Sequence, residues 1–148
     1  QRRKLKRSYR GVPGLEYEEA AIMGHSGTCT FYEVPDYDVI STATPINWKA
    51  EKAIKKGTAK ERKIPCMTIM ELVYKYQMED ADILQMDIEG AEWEVIRLID
   101  FDRFRPTVIR YEEKHLGERK QECVDCLRGW GYEIEFEPTE DVTAWIPS

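Results

Sequence analysis

The 148-residue sequence predicts an α/β fold, a mostly parallel sheet with helices between its strands and an antiparallel hairpin at its C-terminal end. Three observations predict it. Ile83-Leu84-Gln85-Met86 is a short apolar run of the kind that forms a strand buried on both faces of a parallel sheet. An amphipathic helical stripe and a further strand follow it, which together make a strand–helix–strand unit. Tyr132, Ile134 and Phe136 then alternate with Glu133, Glu135 and Glu137, as in a strand with one solvated face.

Taken in order, residues 15–23 read as a strand between Pro13-Gly14 and Gly24, and residues 28–34 as a second. The short Gly24-His25-Ser26-Gly27 link between them reads as a hairpin turn and not as a helix-opening cradle. Thr44-Pro45 opens a helix that carries Ala50, Ala53 and Ile54 on one face and stops at Gly57. Thr68-x-x-Glu71 is a capping box, and Ile69, Leu72, Val73 and Tyr76 follow at helical spacing. Asp87 ends the apolar strand, and Gly90 leads into a helix with Ala91, Val95, Leu98 and Ile99 on one face. Pro106 separates that helix from a strand at 107–111. A last helix at 118–128 ends at Gly129 and Gly131, and a strand at 142–146 folds back on the alternating one.

Length and composition suit a single domain spanning 1–148 with a basic lead-in at 1–14. Hydrophobic residues make up 42% and charged residues 34%, and no apolar run approaches the ~20 residues that span a bilayer. A soluble protein with no membrane partner is expected. The chain opens on Gln1 and not on Met, which suggests processing or excision from something longer. Its net charge is −6, but the first ten residues carry six basic side chains and no acid. The other 138 therefore hold 16 basic and 28 acidic residues, a body too acidic to favour nucleic acid as a partner.

Four cysteines, Cys29, Cys66, Cys123 and Cys126, include one close pair. Cys123, Leu127 and Trp130 recur at helical spacing, so the pair reads as core packing, and no second pair completes a zinc set. Scattered thiols fit a reducing, cytoplasmic compartment.

Chemistry belongs beyond the C-terminal ends of parallel strands, where loops meet helix starts. Two such ends are densely acidic: Asp87-Ile88-Glu89-Gly90-Ala91-Glu92 and Tyr111-Glu112-Glu113-Lys114-His115. Adjacent strands would bring these groups to one rim, where crowding suits either a general base or a shared divalent cation. Helix capping by Asp87 or Glu89 is the bland reading of the same residues. Against it, Asp87 ends a buried strand, a costly place for an idle carboxylate. Gly90, without a side chain, lets a ligand approach the backbone.

The run from Ile83 through Asp87-x-Glu89-Gly90-x-Glu92 resembles the signature of the FkbM family of S-adenosylmethionine-dependent methyltransferases, and Arg105-Pro106 with Val108 to Glu112 is similar to that family's next strand. Glu19 to Gly24 with Ser26-Gly27 and Thr30 to Tyr32 resembles its alanine-ending strand and the hairpin after it. Leu127 to Tyr132 resembles its closing element, so the likeness covers residues 15–146. It implies a Rossmann-like sheet and transfer of a methyl group from S-adenosylmethionine to a hydroxyl of a small molecule or sugar. By the same resemblance Asp87 positions or deprotonates the acceptor, Glu89 and Glu112 support it, and His115 is the alternative base. Ala21, Asp87 and Gly90 are implied at the cofactor, with no metal.

The family pattern opens with a strand, a glycine-rich turn and a helix, and no such loop precedes residue 15. The sheet is therefore expected to lack its first strands, between the one ending at Ala21 and the one ending at Asp87. Such an open edge would pair the strand at 16–21 with the Asp87 strand or a second copy, or be completed by an upstream segment. Rival readings are a non-catalytic binding or oligomerisation module, and a metal-dependent enzyme using the acidic rim.

Overall fold

The computed structural model of the chain describes residues 9, 11–33, 41–42, 48–88 and 90–148. They form two four-stranded sheets and four helices. The first sheet holds β1 (Ala21–Ile22), β2 (Gly27–Glu33), β3 (Ser41–Thr42) and β4 (Lys60–Met67) in the order β1-β4-β2-β3. Helix α1 (Trp48–Lys55) precedes β4, and α2 (Ile69–Tyr76) follows it. The second sheet holds β5 (Ile83–Met86), β6 (Val108–Glu112), β7 (Glu133–Phe136) and β8 (Asp141–Trp145) in the order β5-β6-β8-β7. Helix α3 (Glu92–Ile96) joins β5 to β6, and α4 (Arg119–Gly129) joins β6 to β7.

The expected α/β class and the strand–helix–strand unit β5-α3-β6, with its strands parallel in the register Met86↔Tyr111, are present. The C-terminal hairpin β7–β8 is antiparallel, as expected. A single, mostly parallel sheet is not what forms. Among the described residues only β1–β4 and β5–β6 are parallel, while β2–β3, β2–β4, β6–β8 and β7–β8 are antiparallel.

Several local expectations change with it. The strand at 15–23 contracts to Ala21–Ile22, which pairs with β4 at Cys66 and Met67 and not with the Asp87 strand. Gly24 to Gly27 is no hairpin turn, because β4 lies between β1 and β2. The link must span two strand spacings, ~9–10 Å, and Gly27 takes φ +121° on the way. β4 itself carries none of the expected signals, being Lys60-Glu61-Arg62-Lys63-Ile64-Pro65-Cys66-Met67. Pro65 is tolerated in this inner strand because β1 covers only Cys66 and Met67, so at Pro65 just one neighbour, Thr28 of β2, needs a ladder bond. The cap expected at Thr44-Pro45 lies outside the described residues.

β5 is not buried on both faces. It is the edge of its sheet, and Ile83 is 65% exposed with Gln85 also exposed. Its apolar run is covered on one side only, where Met86 meets the core.

The capping box closes as predicted. Thr68 Oγ1 accepts from the Glu71 N–H at 3.3 Å, and Glu71 Oε2 accepts from the Thr68 N–H at 2.9 Å. Ser26 Oγ also donates to Glu71, which ties the β1–β2 link to the start of α2. The core sits between α2–α4 and the second sheet. Ile109 and Tyr111 on β6 stand opposite Ala144 and Val142 on β8, all four buried, and Val95, Ile96 and Leu127 cover them. Cys123 is fully buried there and burial pushes its thiol up to about 12, an inert packing role for the Cys123–Cys126 pair. Ile22 of β1 packs against this core too. No described helix is long and apolar enough to cross a membrane.

Candidate active site

The loops leaving β1, β5 and β6 enclose a cleft of about 580 Å³, within the ~300–1,000 Å³ typical of small-molecule sites. Met23, Gly24 and His25 form the wall after β1, and Gly90, Ala91, Trp93, Glu94 and Arg97 the wall from the α3 turn. His115, Leu116, Gly117 and Arg119 close it between β6 and α4. The walls come close, since a Cβ placed on Gly24 would lie 3.4 Å from Glu94 Oε2. Gly90 adopts φ +96°, a left-handed conformation that favours glycine, and it presents no side chain to the cleft.

The residues expected at this rim divide. Gly90 and His115 line the cleft. Glu112 does not, but its Oε2 lies 4.0 Å from His115 Nε2, and both side chains are largely enclosed. Asp87 follows β5 and is exposed; the β5–β6 register puts it beside Glu112, and it is not among the lining residues. Ala21 is half-buried in β1, two residues before the lining Met23. Glu89 lies outside the described residues. Among the described residues the charged side chains on the walls are Glu94, Arg97 and Arg119, and neither Asp87 nor Glu112 joins them. Among the described residues no three metal-ligating side chains converge.

Glu92 was missed. It is fully buried, and its Oε1 accepts the Ile88 N–H at 3.0 Å, holding the turn between β5 and α3. Among the described residues its Oε2 has no hydrogen-bond partner. Burial raises its pKa above the ordinary carboxylate value, although backbone N–H groups of Glu92, Ile88 and Gly90 pull the other way. The signal was present in the spacing, because Glu92, Ile96 and Ile99 fall at i, i+4, i+7 on the buried stripe.

A sequence match to the methyltransferase FkbM domain extends over residues 4–143, nearly the whole chain. The chain belongs to that family. Neither the curated proteins nor the solved structures contain a significant match. In this FkbM domain the motif that carried the resemblance, Asp87 to Glu92, starts just after β5 and ends at the first residue of α3, and thus supplies Gly90 and Ala91 of one cleft wall.

The cleft fits S-adenosylmethionine in size, and the bare turn at Gly90 would admit it to the backbone. Glu94, the lining carboxylate among the described residues, is bound by Arg97 through Nε at 2.7 Å and through Nη2, so the described walls offer no uncommitted carboxylate for a ribose diol. The FkbM domain thus fits that molecule in part.

Proposed function

We propose that this FkbM domain transfers a methyl group from S-adenosylmethionine to a hydroxyl of a small molecule or sugar. The observation that carries this reading is the convergence of three strand-exit loops on one cleft, the position where open α/β sheets bind ligands. Family membership supplies the reaction class. When bound, S-adenosylmethionine supplies an electrophilic methyl on a sulfonium centre.

The residues of the chain then have to orient the acceptor and take its proton. Of the two candidate bases, the geometry favours His115, because it lines the cleft and Asp87 does not. With Nε2 facing Glu112, the proton leaves the acceptor oxygen for Nδ1, and the Glu112 carboxylate stabilises the imidazolium that results. Gly90 and Ala91 give the ligand access to the backbone, and Ala21 supports the adenine side from β1. β5 stands at the edge of its sheet among the described residues, a position at which further strands of a Rossmann-like sheet can pair.

Paired variants test the assignment in a methyl-transfer assay with a hydroxylated acceptor. His115→Asn is expected to lower kcat by ~10²–10⁴-fold, the ordinary contribution of a positioned base, and Asp87→Asn by less. A larger loss in Asp87→Asn would return the base to the strand end, and two variants within twofold of the parent would exclude both.

A further inference from the structure

On that reading, in which the acceptor meets His115 in the cleft, we propose that the acceptor carries an oxyanion, a carboxylate or phosphate, held between Arg97 and Arg119. The chain as a whole is acidic, at net charge −6, yet among the described residues the fixed charges lining the cleft are two guanidinium groups and one carboxylate, with Glu122 and Glu112 standing behind Arg119 and His115. Two imidazoles, His25 and His115, add hydrogen-bonding capacity and no negative charge. The cleft therefore presents two guanidinium forks on an otherwise acidic chain, and an oxyanion that reaches both gains charge-assisted hydrogen bonds there.

The two arginines arrive from separate elements. Arg97 caps the C-terminal end of α3, and Arg119 is the first residue of α4, so they flank the cleft from different walls. Each guanidinium has five N–H donors in a planar fork. Glu94 takes Nε and Nη2 of Arg97, and Glu122 takes Nη1 of Arg119 at 2.7 Å. The remaining donors of both have no protein partner among the described residues. These ion pairs are solvent-exposed, with Arg97 at 44% and Arg119 at 56%, where a pair holds weakly and a ligand oxyanion can compete for the fork. Glu94 sets the selectivity, since it repels an anion that is not seated on both arginines.

The test is an amide chemical-shift titration of the isotope-labelled chain with glucose, glucuronate, glucose 6-phosphate and inorganic phosphate. Glucuronate and glucose 6-phosphate are expected to shift the Gly90, Ala91 and Gly117 amides at concentrations about tenfold or more below those needed for glucose. The double variant Arg97→Gln/Arg119→Gln, whose exposed side chains leave the core intact, is expected to abolish that preference. Glucose binding as well as glucuronate, a preference that survives the double variant, or shifts confined to residues away from the cleft would each overturn the proposal. Inorganic phosphate binding as tightly as glucose 6-phosphate would reduce the site to a simple anion site and overturn it as an acceptor determinant. The titration needs no methyl transfer, so failure of anion selectivity and failure of the methyltransferase reading register separately.

Discussion

The β5–β8 sheet presents a continuous apolar layer to α3 and α4, with Ile109, Val142 and Ala144 fully buried, whereas the β1–β4 sheet buries little beyond Cys29 and Cys66 and carries a charged strand at its centre. Lys60 to Lys63 on β4 face Glu33, Tyr32, Phe31 and Thr30 on β2, and the side-chain contacts there include Arg62–Glu33 at 2.5 Å and Lys63–Thr30 at 2.5 Å, both exposed. Burial of apolar area dominates folding energy, while exposed ion pairs contribute ~0–1 kcal/mol each. The second sheet therefore carries the stability, and the first is a backbone-bonded platform that supplies one wall of the cleft.

The sharpest way to break this contrast is Leu127→Ala, at a fully buried site under α4. A loss of ~2–5 kcal/mol in urea unfolding is expected. A loss below about 1 kcal/mol would show that the second core is not the one that matters.

Next come two carboxylates with opposite pH signatures. Arg110 forks onto Glu137 at 3.0 and 2.9 Å and holds its pKa at about 2, so Glu137 stabilises the fold above the usual carboxylate pKa, and that contribution is lost as acid approaches pH 2. Glu92, raised by burial, behaves in reverse. Its contribution is full below about pH 4.5 and is lost as pH rises through its elevated value. Glu137→Gln should be less stable than the parent near neutrality and converge with it in acid, while Glu92→Gln should gain on the parent as pH rises. Denaturation midpoints at several pH values read both, and a flat difference for Glu92→Gln would mean that its carboxylate is not strained by burial.

Thr68→Ala removes the capping box that joins the two regions, because α2 starts beside the β1–β2 link and sends Ile69 and Val73 into the core. The expected cost is ~0.5–2 kcal/mol. Smallest is Arg62→Ala in the first sheet, at less than ~1 kcal/mol, and its contribution should shrink further with added salt. A cost as large as that of Leu127→Ala would erase the distinction between the sheets.

Legibility followed the same division. The capping box, the β5 and β6 strands, the α4 helix and the alternating β7 carry strong local periodicity and appear within a residue or two of expectation. β4 was illegible because strands built on backbone pairing and solvated charge leave no hydrophobic period to read. At the cleft, Gly90 and His115 were legible as residues after strand ends. Trp93, Arg97 and Arg119 were not, because helical side chains reach a site through crossing angles and loop lengths that spacing does not encode.

By itself, the sequence determined the α/β class, the β5-α3-β6 unit, the C-terminal hairpin and the family, since each rests on contacts within some 30 residues or on a contiguous motif. Only the tertiary structure decided that the strands divide into two sheets, that β5 is an exposed edge, and that among the described residues Arg97, Arg119, His25, His115 and Glu94 face the cleft while Asp87 and Glu112 do not. Strand partners and wall composition depend on which distant segments meet, and Ala21 pairing with Cys66 or Gly24 approaching Glu94 leaves no mark in the local pattern of either partner.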